Sequence, residues 1–166
     1  LFRSARTLKR TNLSHINTLI KLLENRFNVV EILKALIFDL EKFTNEREHI
    51  QKVIEDNYWL FGEQFHLVSA DKNFEILLNN YFAHLEIDNK KPETIDNKEK
   101  LKRPDIFISR KSDIPDATNN DLTIEENIIV ELKRPSVVIG SEQFQQVERY
   151  LRFIIEEERF NSLRRN

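Results

Sequence analysis

The 166-residue sequence contains no cysteine and no methionine. The first absence excludes disulfides and thiolate metal ligands and fits a reducing compartment such as the cytoplasm. The second, in a chain that starts at Leu1, suggests a segment of a longer protein with an upstream part. No apolar run approaches the roughly 18 residues needed to cross a bilayer, and no signal-peptide pattern is visible. A dominant charge sign is also missing. The 26 Lys and Arg against 28 Asp and Glu leave a formal net charge of −2, so no global basic field advertises nucleic acid. Any polyanion must therefore be held by a local patch.

What is present is 40% apolar and 33% charged residues, ordinary for one globular domain with a substantial core. The chain is organised around Asn127-Ile-Ile-Val-Glu-Leu-Lys-Arg-Pro135, a β-branched strand ended by a proline. Strand alternation sends Ile128, Val130 and Leu132 to one side, and Glu131 and Lys133 to the other. A carboxylate and an ammonium thus stand together at a strand end whose opposite face is apolar. Upstream, Arg103-Pro-Asp-Ile-Phe-Ile-Ser109 supplies a second short strand with Asp105 at its start.

Pro104, Asp105, Glu131 and Lys133 spell PD…ExK, and the pattern resembles the PD-(D/E)xK nuclease superfamily. With Asn57-Tyr-Trp-Leu-Phe-Gly-Glu63 ahead of it, the ordered set over about residues 46–155 is similar to the nuclease domain of Shedu-type proteins. The same set occurs as a C-terminal domain behind GHKL-type ATPase modules. The resemblance implies a restriction-endonuclease-like α/β core: a small mixed sheet flanked by helices, here with a helical N-terminal extension. It implies Mg²⁺- or Mn²⁺-dependent phosphodiester hydrolysis, most naturally by a DNA endonuclease in prokaryotic defence against phage or other foreign DNA. RNA remains open as a substrate. In that setting Asp105 and Glu131 ligate the ion, and the Leu132 carbonyl adds a third ligand. Lys133 orients the nucleophile or stabilises phosphate charge.

The third acid has several candidates. A helix starting near Thr44 or Asn45 carries Ile50, Val53 and Ile54 as its buried stripe, and at 100° per residue Glu46 projects near that face. Glu48 falls on the far side and has capping-box spacing from Asn45, and Glu63 is a weaker alternative. The aromatics Trp59, Phe61 and Phe65 around Gly62 read as core rather than as a base-stacking platform.

The N-terminal third is helical. Leu13, Ile16, Ile20, Leu23 and Phe27 recur at spacings of three and four, as do Val30, Leu33, Ile37 and Leu40. Asn28 and Glu31 have capping-box spacing, so a helical hairpin competes with one long rod. Residues 1–43 are expected to form a packing or dimerisation arm, and residues 44–166 the nuclease-like domain, making a homo-oligomer the natural expectation. A further amphipathic helix spans residues 71–86, burying Phe74, Leu77, Leu78, Tyr81, Phe82 and Leu85. His66 and His84 have no ligand-spaced partner and read as isolated side chains.

Asp88 to Lys102 is polar and charged, and reads as a solvated loop or a mobile insert. Its lysines, ending in Lys102 and Arg103, lead into the Asp105 strand and could contact phosphate, as could Arg134. Residues 115–121 form a polar turn between the strands. After Gly140-Ser141, a final helix is expected to bury Phe144, Val147, Leu151, Ile154 and Ile155 beside a polar stripe of Gln143, Gln146 and Tyr150. Gln146 to Tyr150 matches the QxxxY motif of RecB-like superfamily members, implying a role in orienting the lysine or a phosphate. A nuclease-fold module that binds, senses or assembles without cutting is the alternative from another class. A self-associating helical scaffold is a third.

Overall fold

The structure, a computed structural model, describes residues 13–86, 94–114 and 122–160, with side chains at 113–114 and 122–124 left undescribed. It is a mixed α/β fold. The first helix, α1 (Leu13–Lys34), continues through a π-helical turn at Ala35–Asp39. It is a single rod across Asn28, so the hairpin alternative does not form. A π-helical turn, Glu46–Gln51, is capped by the Asn45 side chain and runs into α2 (Lys52–Asp56). Then come β1 (His66–Ala70), α3 (Phe74–His84), β2 (Ile106–Ile114), β3 (Leu122–Val130) and α4 (Ser141–Glu156). No helix among the described residues is long and apolar enough to cross a membrane.

The three strands form a sheet in the order β1-β2-β3, antiparallel throughout. The expectation of a mixed sheet is corrected: consecutive strands pair directly, and no helical crossover delivers a parallel neighbour among the described residues. Strand alternation divides two cores. Phe107 and Ile129 face one, with Phe74, Leu77, Leu78, Tyr81 and Phe82 of α3 and Tyr150, Phe153 and Ile154 of α4. Ile106, Ile108, Ile128, Val130 and Leu132 face the other, with Ile50, Ile54 and Phe65. Of the aromatics near Gly62, Phe65 is buried in this second core and Phe61 packs at its edge, whereas Trp59 is half-buried beneath the Arg26 guanidinium and is not part of that core.

Both site strands lie in a different frame from the one the sequence suggested. β2 begins at Ile106, one residue after the aspartate, and β3 stops at Val130, one residue before the glutamate. Residues 88–93 and the 115–121 turn lie outside the described residues. Within the described part of the charged stretch, Ile95 is buried in the first core and its N–H donates to the Glu75 carboxylate at 3.1 Å. A 3-10 turn, Lys98–Leu101, follows it, so this half is not a free insert.

The final helix is rotated from its expected setting. Tyr150, Phe153 and Ile154 are buried, whereas Phe144, Leu151 and Ile155 are exposed. The reason is polar satisfaction. The hydroxyl of Tyr150 and the amide of Gln146 both find partners beneath the helix, so burying them forfeits few hydrogen bonds.

Candidate functional site

The β2–β3 register ends with Ile106 paired to Val130, and Asp105 and Glu131 are the residues just beyond that last pair. Two residues inward on each strand, Phe107 and Ile129 pack in the α3–α4 core, and Glu131 reaches the same side through its bond with Gln146 of α4. The ladder ends because a side chain replaces its next bond: the Leu132 N–H donates to Asp105 Oδ2 at 2.7 Å.

Asp105 is held from behind. Its carbonyl accepts from the Asp71 N–H at 2.9 Å and from Gln51 Nε2 at 3.4 Å, and the preceding Pro104 is fully buried. Gln51, buried in the stripe between Ile50 and Ile54 and bonded to Glu55 at 2.6 Å, was not singled out from sequence. A polar residue flanked by apolar ones on a buried helical face is the signal that could have found it.

Glu131 Oε1 accepts from Lys133 Nζ at 2.6 Å and from Gln146 Nε2 at 2.5 Å. Gln146 Nε2 also donates to the Tyr150 hydroxyl at 2.9 Å, and that hydroxyl donates to the Arg103 carbonyl at 3.4 Å. The i,i+4 spacing on α4 puts amide and phenol one above the other. Glu131 Oε2 is buried with no partner among the described residues. Glu46 reaches the same end of the sheet, its carboxylate accepting from the Arg134 N–H at 3.0 Å.

Of the sequence candidates, then, Asp105, Glu131, Leu132, Lys133, Gln146 and Tyr150 converge, with Glu46 at the rim. Glu48 is exposed at the Asn45 cap. Glu63 lies elsewhere, bonded to Arg26 of α1 at 2.9 Å. Lys102, Arg103 and Arg134 are exposed on the segments bordering the acidic pair.

Burial pushes the Asp105 carboxyl up to about 6; the Leu132 N–H opposes this, the charges of Glu131 and Glu46 add to it, and Lys133 offsets part of it. Burial works against the charge on Lys133 as well. There the hydrogen bond and charge of Glu131, with Glu46 and Asp105, outweigh it and hold the ammonium above the ordinary lysine range. Tyr150 is raised by burial and by the Glu131 and Asp105 charges, against Gln146 and Lys133. At neutral pH the group therefore presents a cation and a neutral phenol beside the carboxylates. Neither Lys133 nor Tyr150 is poised as a base.

Among the described residues no three His, Cys, Asp or Glu side chains form a ready-made metal site. The donor set does suit a hard divalent ion once backbone oxygen is included. The Glu131 Oε2, unpartnered among the described residues, and the raised carboxyl of Asp105 mark a locus short of positive charge, where oxygen ligands predominate.

A second polar group lies at the other end of the same sheet face. The His66 and His84 rings approach to 5.6 Å between centroids, correcting their reading as isolated residues. Close by, Tyr81 donates to Glu125 Oε2 at 2.5 Å, and Asn127 Nδ2 donates to the Tyr81 hydroxyl at 3.1 Å. The packing of α3 back onto β1 brings the histidines together. Comparison of the chain with protein-family models, curated proteins and solved structures gives no match.

Proposed function

We propose that this chain is a divalent-metal-dependent phosphodiesterase, a DNA endonuclease of the PD-(D/E)xK type built on a restriction-endonuclease-like core. The observation that carries the reading is that Asp105 and Glu131 flank the last β2–β3 pair, with Glu131 Oε2 buried and unpartnered among the described residues and Lys133 hydrogen-bonded alongside. Asp105, Glu131 and the Leu132 carbonyl would hold Mg²⁺ or Mn²⁺, with Glu46 completing the oxygen set. When bound, the ion supplies Lewis-acid polarisation of a phosphoryl oxygen and lowers the pKa of attacking water.

The chain's own residues do the rest. Lys133, kept charged by its acidic neighbours, stabilises the negative charge that grows on the phosphoryl oxygens during attack. Gln146 fixes the Glu131 carboxylate through Oε1 and is itself fixed by Tyr150, so Oε2 keeps its direction. Lys102, Arg103 and Arg134 provide backbone phosphate contacts that the overall charge of the chain does not. A role in defence against foreign DNA in a prokaryotic cytoplasm follows from the Shedu-like motif set.

The second reading is a nucleic-acid-binding module without catalysis. It is favoured by one observation: Lys133 and Gln146 both occupy Glu131 Oε1, and among the described residues Glu46, the nearest further acid, is held at the rim by the Arg134 N–H. Incubating supercoiled plasmid with the protein separates the two. The nuclease reading expects nicked or linear product with Mg²⁺ or Mn²⁺ and none with chelator. Salt-dependent binding without product would favour the module. Gln146→Met, which keeps volume but removes the bond to Glu131, is expected to lower initial cleavage rates about 10- to 100-fold. An unchanged rate would remove Gln146 from the site.

A further inference from the structure

We propose that α1 carries a self-complementary seam through which two copies of this chain pair. The helix is 22 residues long and none of its residues is buried. One of its faces is in use: Arg26 bonds Glu63 and lies over the Trp59 ring, and Leu33 packs against the second core. Leu13, Ile16, Ile20, Leu23 and Phe27 lie about a third of a turn away, counting 100° per residue. All five are exposed, with Leu13 at 73%, Leu23 at 56% and Phe27 at 66%.

Their spacing is three, four, three, four, the alternation of a two-helix seam. A surface helix with one apolar stripe has its stripe on the core. One with a second stripe facing water has to bury it elsewhere.

A second copy is the occupant that the surface fits. The exposed parts of the five seam residues come to roughly 500 Å² per copy, so a symmetric pair covers about 1,000 Å² in total, the least a specific interface needs. The charges near the seam are of both signs, Glu24 beside it and Glu31 bonded to Lys34 beyond Phe27. Such a border selects no acidic or basic partner, and it suits a patch that must match itself. The apolar segment ends where Glu31 and Lys34 enter the seam, so its midpoint is Ile20. A two-fold axis in either helix orientation sets Ile20 beside its own copy.

The absence of native cysteine makes this directly testable on the full chain. Sedimentation or light scattering is expected to give twice the monomer mass, and Ile20→Glu with Leu23→Glu the single-chain mass. In case that variant fails to fold, single-cysteine chains give an independent reading. Ile20→Cys is expected to form a covalent dimer under mild oxidation, and Asn25→Cys, on the opposite side of the helix, is not. A wild-type monomer overturns the proposal, including one whose seam is taken by another protein or a lipid surface. So does a dimer that survives both glutamates, or equal crosslinking from the two cysteines. The inference does not rest on the nuclease reading: a monomer that cleaves DNA refutes the seam alone, and an inert dimer refutes the nuclease alone.

Discussion

Asp105→Asn is expected to lower metal-dependent cleavage by about 10³-fold or more, and Lys133→Ala by a comparable factor. Asparagine keeps an oxygen for the Leu132 N–H, so the end of the β2–β3 ladder should survive. What it loses is one of the two negative charges that draw a divalent ion in between Asp105 and Glu131. Lys133→Ala leaves both carboxylates and removes the cation beside the reacting phosphate. It also leaves Glu131 Oε1 with Gln146 as its remaining described donor. Initial rates on plasmid, with circular dichroism as the control for folding, check both variants. Activity within tenfold of wild type in either one would remove that residue from the chemistry.

The same Asp105→Asn change is expected to stabilise the metal-free protein at neutral pH. In the unfolded chain the carboxyl ionises near 3.8, and in the fold at about 6. The folded state therefore binds the proton more tightly, and stability falls as pH rises from about 4 to about 6. Above that window the penalty is complete. About two pH units correspond to at most ~3 kcal/mol. Asparagine carries no charge to desolvate, so the variant should exceed wild type by up to ~3 kcal/mol at pH 7 and match it near pH 4. Urea unfolding in chelator at the two pH values measures this. A variant that is less stable at pH 7 would mean that Asp105 is not charged against its surroundings. A site that gains stability when its acid is removed has been shaped for something other than stability, which agrees with the proposed use of Asp105.

Much of this arrangement was legible because strands have a strict period of two. Placing Glu131 and Lys133 opposite Val130 and Leu132 needed only alternation, and the two cores separate along that line. The buried stripe of α3 was equally plain, since six apolar residues share one face. Strand ends were harder to read. Sequence carries β-propensity through Glu131, but ladder bonding stops where the Asp105 carboxylate captures the Leu132 N–H. The rotation of α4 escaped for a related reason: Phe144, Leu151 and Ile155 are more apolar than Gln146 and Tyr150, yet the polar pair has partners waiting below. No spacing rule marked the His66–His84 contact, which depends on α3 folding back onto β1.

The most direct measurement is a crystal soaked in Mn²⁺ and examined by anomalous scattering. The account expects one strong peak between the carboxylates of Asp105 and Glu131, within bonding distance of the Leu132 carbonyl and absent from Asp105→Asn crystals. A peak confined to other residues, or an empty difference map at saturating Mn²⁺, would contradict it.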